Sequence, residues 1–263
     1  MQHAHPDPAA PRQGSQPAPD LAQDFVSFAV DAGVLRFGSF KTKAGRQSPY
    51  FFNAGLFDDG AKLARLSDFY AARLLASGLE FDMLFGPAYK GITLAAGCAI
   101  ALNARGRNVP FCHDRKEAKD HGEGGVLVGA PLKGRVVIID DVITDGASKR
   151  HAVELIRAHG AEPAAVLIAL DRMERVGLSA APGRSEAADA PPRGAASASE
   201  RGGSDHEALS ARTAVEEFTQ AFGIPVLPVA TLEHLLRYLS TTGDPALAAH
   251  LPEVVAYRQR YGV

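Results

Sequence analysis

Two adjacent acids, Asp140 and Asp141, close the apolar run VVIID and lead directly into the turn VITDGAS, residues 142–148. Carboxylates at the end of a buried strand, followed by a turn that opens a helix, make a ligand-binding edge. The first amides of such a helix point outward and favour an anion such as phosphate. Paired aspartates before a glycine turn can also do no more than cap the helix. A second cluster of chemistry-bearing side chains, Arg115, Lys116, Lys119 and His121, lies in RKEAKDHGEGG beside three glycines. A charge run of this kind often marks a solvated surface. With glycine hinges it could equally swing over a site and neutralise a leaving anion away from water. Lys90 follows a strand in GPAYKG, where a lysine is hard to explain without an anion, and Arg172 follows the strand-ending Asp171. The phosphate turn is neither a Walker A loop nor a dinucleotide fingerprint, because GxxxxGK[ST] and GxGxxG are both missing from it.

The elements that must carry these groups alternate. FDMLFG, VPFCHDR, VVIID and AAVLIALD read as strands, and Ile92–Leu102 and 147–159 as helices. Runs of β-branched residues without polar alternation suit strands covered on both faces. The expected class is therefore α/β, a doubly wound, mainly parallel sheet flanked by helices. Ahead of it, Asp20 caps a helix over about 20–32 with Leu21, Phe25, Phe28 and Ala29 on one stripe. RFGSFKTKAGRQSPYFFNAG then predicts two short strands forming a small N-terminal hood, and a second helix spans about 60–77 with Gly78 just past its end.

The chain has 263 residues, 46% hydrophobic and 22% charged, enough for one substantial core. Residues 1–19, proline-broken and without an apolar stretch, predict a disordered tail, and 20–263 a single domain. Within that domain 176–212, rich in Ala, Gly, Ser and Pro, predicts a disordered low-complexity insertion. A net charge of -2 gives no general attraction to nucleic acid or to an anionic membrane. No stretch approaches the roughly 18 consecutive apolar residues of a membrane span. Cys98 and Cys112 lie in apolar segments without metal spacing, which points to buried, reduced thiols and a cytoplasmic location.

DDVITDG resembles the type I phosphoribosyltransferase motif. RKEAKDHGEGG, KAGRQSPYFFNAG, FGPAYKGI and IALDR, together with the closing AYRQRYGV, are similar in particular to the orotate phosphoribosyltransferase family, over about 25–175 and again from Val215. That resemblance implies the following roles. Asp140 and Asp141 would hold the ribosyl hydroxyls of phosphoribosyl pyrophosphate (PRPP), directly or through Mg²⁺, a cofactor carried mainly by PRPP and not held by the protein alone. The backbone of Val142, Ile143, Thr144, Asp145, Gly146, Ala147 and Ser148 would cradle its 5-phosphate. Tyr89, Lys90 and Lys43 would line the pyrophosphate side and the reacting ends. Arg115, Lys116, Lys119 and His121 would close over them, with Lys119 catalytic alongside Asp140 and Asp141. Phe51, Phe52, Thr144 and Arg172 would bind orotate, one phenylalanine ring packing inward and the guanidinium forking onto the carboxylate. The product would be orotidine 5′-phosphate, in de novo pyrimidine synthesis, and the enzyme a homodimer with active sites shared across its interface.

The motif also departs from the expected DDVITAGTA. Asp145 replaces a small apolar residue, and Ala147 lacks a hydroxyl that Ser148 could supply from the next position. Asp145 is expected to point out of the cradle or to cap the helix. Two rivals stand beside this reading. One is a phosphoribosyltransferase for a purine or uracil, against which KAGRQSPYFFNAG and Arg172 speak. The other is a non-catalytic, nucleic-acid-binding regulator on the same fold, expected to show a basic face.

Overall fold

The computed structural model describes residues 20–42, 45–119, 125–144, 146–177 and 209–263, with Ala118, Lys119 and Gly125 described in their backbone only. The expected tail therefore lies outside the described residues. So does the interior of the expected insertion.

Helix α1 (Leu21–Asp31) starts at Asp20, whose carboxylate accepts from the Gln23 amide at 3.3 Å. Strands β1 (Leu35–Lys41) and β2 (Gln47–Phe52) pair antiparallel as a separate hood. Helix α2 (Gly60–Ala76) is capped by Asp59 at 2.8 Å from the Lys62 amide. Gly78, at φ +67°, turns the chain left-handed just beyond its end, a conformation that costs glycine little. Then follow β3 (Met83–Gly86), α3 (Lys90–Ala104), β4 (Phe111–Lys119), β5 (Gly125–Gly129), β6 (Arg135–Ile139), α4 (Ala147–Ala158) and β7 (Glu162–Asp171). The remainder is β8 (Arg175–Gly177), β9 (Leu209–Thr213), α5 (Ala214–Phe222), β10 (Val226–Thr231), α6 (Leu232–Thr241), α7 (Pro245–Ala248) and α8 (Leu251–Tyr261).

The main sheet runs β10-β7-β6-β3-β4-β5. Every pairing is parallel except β4 with the edge strand β5. This is the doubly wound, mainly parallel sheet read from the sequence. The apolar run of β6 and its neighbour β7 splits by the two-residue strand period into two cores. Val137, Ile139, Ala165, Leu167 and Ala169 face a layer built from α1, α2, α3 and α6. Val136, Ile138, Val166 and Ile168 face Ala152, Val153 and Ile156 of α4 and Phe218 of α5. A sheet covered on both sides has no solvent face to reveal its period, and each buried Val, Ile or Leu of it contributes roughly 1.5–3 kcal/mol.

Two expectations change. The basic segment RKEAKDHGEGG, which its glycines suggested as a swinging loop, is strand at both ends: Arg115–Lys119 continue β4, and from Gly125 the chain returns as β5, pairing Asp114 with Leu127 and Lys119 with Gly125. Pairing satisfies backbone groups that a loop would leave to water. Likewise the expected insertion 176–212 has ordered ends, because β8 and β9 pair Arg175 with Thr213 and Gly177 with Leu209. Cys98 and Cys112 are buried and unbridged, and burial pushes both thiols up to about 12. No helix among the described residues is long and apolar enough to cross a membrane.

Candidate active site

Strand order reverses between β3 and β6: from β3 the chain builds outward to β4, and from β6 the other way to β7 and β10. The crevice at the carboxyl ends of strands flanking such a reversal is where α/β sheets bind ligands. Here it is bordered by Gly86-Pro-Ala-Tyr-Lys-Gly91 and by the turn that starts at Asp140. The first loop folds tightly on itself and against the end of β6. A Cβ on Gly86 would lie 2.1 Å from the Gly91 carbonyl oxygen, and one on Gly91 2.5 Å from Pro87 Cδ and 2.7 Å from the Ile139 oxygen. The Ala88 amide donates to Asp114 Oδ1 at 2.6 Å, tying the first loop to β4.

Both acids are buried, each 6% exposed. Asp141 Oδ2 meets Lys90 Nζ at 2.5 Å, and its Oδ1 accepts from the Val142 amide at 2.8 Å. Asp140 Oδ1 accepts from the Asp141 amide at 2.9 Å, and its Oδ2 is ion-paired with Lys149, with the Ser148 hydroxyl 3.4 Å away. Burial lifts the Asp140 carboxyl above its ordinary value; Lys149 opposes that shift and the neighbouring Asp141 adds to it. The Tyr70 hydroxyl donates to the Asp140 carbonyl at 2.8 Å, fastening the loop to α2.

The turn then closes on α4. Gly146 is its N-cap at φ +71°, without a side-chain cap hydrogen bond, and Thr144, Ala147 and Ser148 are exposed around it. Ile143 turns into the α4-side core instead, so only its backbone faces the cradle. Asp145 lies outside the described residues.

On the base side the hood contributes two different rings. Phe51 is 39% exposed and stacks on Phe40 at 5.5 Å, while Phe52 packs inward against Phe25 and Phe57, both at 6.4 Å. Arg172 is held by Glu174 Oε1 at 2.6 Å and lies 5.6 Å over the Tyr50 ring. Its Nε is buried and has no hydrogen-bond partner among the described residues. Glu174 Oε1 also accepts from Tyr257 at 3.1 Å and Tyr50 at 3.4 Å, and Arg46 stands 3.8 Å from Oε2. Of the basic segment, Lys116 places its ammonium 4.6 Å from the Tyr89 ring centroid, and Arg115 is half-buried. Lys43, His121 and the Lys119 side chain lie outside the described residues.

Asp140, Asp141, Lys90, Tyr89, Lys116 and the 142–148 turn, less Asp145, are thus gathered at one sheet edge. The hydrogen bonds of Ala169 and Leu170 to the Asp141 carbonyl bring the end of β7, which leads into Arg172, alongside them. Lys149, Asp114, Tyr70 and Glu174 escaped the sequence reading. Asp114 had a signal, an acid in FCHDR near the end of a predicted strand. Lys149 had a weaker one, a cation in a helix's first turn, where the helix dipole disfavours it. Among the described residues no group of three or more His, Cys, Asp and Glu side chains is placed to hold a metal ion.

Comparison with known proteins agrees with this geometry. The phosphoribosyl transferase domain family matches residues 55–182. The orotate phosphoribosyltransferase of Methylibium petroleiphilum is 59% identical over 95% of this chain and 97% of its own length. That of Cupriavidus necator is 55% identical over 93% and 96%. The crystal structure of the Francisella tularensis orotate phosphoribosyltransferase superposes with a TM-score of 0.71 at 35% identity, covering 91% of this chain and all of that one. With the phosphate-type turn, the paired acids and the tight glycine loop at one switch point, this near full-length likeness places the chain in the orotate phosphoribosyltransferase family.

Proposed function

We infer that this chain transfers the ribosyl phosphate group from PRPP to orotate, giving orotidine 5′-phosphate and diphosphate in de novo UMP synthesis. The observation that carries the reading is the Asp140–Asp141 pair set beside the glycine-led start of α4, with Lys90 reaching across from the opposite loop. In this arrangement the 5-phosphate lies against the backbone of 142–148, and the acids accept hydrogen bonds from the ribosyl hydroxyls. Lys90, whose side chain is 57% exposed, turns from the buried Asp141 to a diphosphate oxygen as the ribosyl hydroxyls take its place on that carboxylate. Tyr89, Arg115, Lys116, Lys119, His121 and Lys43 line the diphosphate side. Phe51 covers the pyrimidine, with Phe52 behind it. Thr144 and Arg172 meet orotate, the buried and unmatched Nε of Arg172 offering an edge to its carboxylate.

Orotate N1, its proton lost to solvent, attacks C1 with inversion through an oxocarbenium-like transition state as the bond from C1 to the diphosphate oxygen breaks, and no protein nucleophile is required. The basic side chains offset the charge that develops on diphosphate; losing one well-placed donor typically costs about 3 kcal/mol, or roughly 100-fold in rate. The donor set fits Mg²⁺ only as a guest of the substrate: two carboxylates, each already engaged by a lysine, are too few for an octahedral site. Bound by PRPP beside Asp140 and Asp141, the ion would supply positive charge against the leaving group. The enzyme is a homodimer sharing its sites, located in the cytoplasm, as the buried unbridged cysteines favour.

The test is loss of orotate's ultraviolet absorbance on adding PRPP, with adenine, hypoxanthine and uracil assayed in parallel for diphosphate release. Turnover confined to orotate supports the reading. Binding of PRPP without turnover of any base favours the regulator instead.

A further inference from the structure

Lys149 is the least expected charge in the molecule. It is the third residue of α4, where the helix dipole opposes a cation, and only 5% of its surface is exposed. A buried ammonium in that place is retained only when its partners are good. It has two: the Asp140 carboxylate, and the Val142 carbonyl, to which it donates at 2.6 Å. These partners sit on either side of Asp141. One amine therefore spans the start of the turn and holds both the carboxylate and a carbonyl of the loop to α4.

We propose that Lys149 is a positioning residue for the ribose 5-phosphate half of the substrate. By pairing Asp140 from beneath, it fixes that carboxylate's orientation and removes its charge from the floor of the phosphate cradle. By drawing in the Val142 carbonyl, it turns the neighbouring amides of the loop outward. The acid pair is thereby divided: Asp140 keeps a permanent buried partner, whereas Asp141 has the exposed Lys90, which can leave. Lys149 is too deep to touch substrate, and it stands apart from the Glu174 cluster around Arg172. Its influence should fall on the ribose phosphate and not on the base.

This inference rests on the proposed function only in naming the ligand, and the experiment separates the two. Titration calorimetry of the full chain with ribose 5-phosphate, without added metal, is compared for wild type, Lys149→Met and Lys149→Arg, beside steady-state kinetics. The Met variant is expected to bind ribose 5-phosphate at least tenfold more weakly, about 1.4 kcal/mol. Its KM for PRPP should rise, its KM for orotate should stay within about twofold, and the Arg variant should recover most of the loss. Unchanged ribose 5-phosphate affinity in folded Lys149→Met overturns the proposal. So does an equal rise in both KM values, the mark of a merely structural role. Should the Met variant not fold, Lys149→Gln, which keeps a donor but no charge, is read by the same affinities. A wild type that binds ribose 5-phosphate yet turns over no orotate refutes the activity, and the affinities still decide Lys149.

Discussion

A single methyl group at Gly91 should disable the enzyme while leaving it folded. Gly91 is the second residue of α3, and exchanging a helical glycine for alanine ordinarily gains up to about 1 kcal/mol. Here the new Cβ would stand 2.5 Å from Pro87 Cδ, 2.7 Å from the Ile139 oxygen and 2.9 Å from the Gly86 carbonyl carbon. Against an ordinary contact of 3.4 Å, the first of these is short by about 0.9 Å. All three atoms belong to backbone or to a proline ring, so no rotamer change relieves them. Overpacking of this kind costs about 1–3 kcal/mol, which outweighs the helical gain. The relief available is a movement of Gly91, with Lys90 beside it, away from both Pro87 and the end of β6. That carries Lys90 off Asp141 by nearly the same distance, and a displacement of about 1 Å at a reacting site can cost on the order of 100-fold. The assay is steady-state kinetics on Gly91→Ala with a thermal melt. The expected result is kcat down by about two orders of magnitude, a raised KM for PRPP and a modestly lower Tm. A kcat within about threefold of wild type with KM for PRPP unchanged would refute the reasoning, since the loops would then not be held by that contact.

Other outcomes follow from the same geometry. Lys119→Ala should lower turnover by roughly 100-fold with little change in orotate affinity, read by single-turnover kinetics and orotate titration; equal losses in both would remove it from the leaving-group side. Asp145→Ala should leave PRPP affinity within about tenfold, roughly 1.4 kcal/mol, and a larger tightening would mean that its carboxylate faces the cradle. The Thr231 amide donates to His234 Nδ1 at 3.1 Å, which requires that nitrogen to be unprotonated. Burial, with Arg237 nearby, holds the imidazole below its ordinary 6.5. Because the folded state prefers the neutral ring, this contribution is complete above pH 6.5 and is lost as pH falls below it. Melts between pH 8 and pH 5 should therefore decline less steeply for His234→Gln than for wild type, and identical slopes would exclude the histidine.

The sheet was legible because the β-branched run at 136–139 and the apolar run at 164–170 leave few alternatives, and the acids closing those runs marked the ligand edge. What escaped notice depended on partners far away in sequence. In a string of letters, Lys149 looks like a solvated helical lysine, and only the approach of Asp140 shows that it is buried. Glu174 draws its meaning from Tyr50, 124 residues before it, and Tyr257, 83 residues after it. The basic segment 115–129 was misjudged for another reason. Glycines and like charges read as a loop, yet strand pairing across Asp114 and Leu127 outweighs that local preference.

The Glu174 cluster also orders events during synthesis. The strands and helices that carry the acid pair, its two lysines and the phosphate turn are complete in the chain by Asp171. The carboxylate that grips Arg172 then waits for Tyr257, which emerges 83 residues behind Glu174. At about 5–20 residues per second, that interval is roughly 4–17 s. The residues of the sugar-phosphate half are therefore all synthesised before the last partner of the base half. The half proposed to read the base receives its last partner only when α8 arrives, and the core behind the acid pair likewise waits for Phe218 and for Leu232, Leu235 and Leu239 of α6.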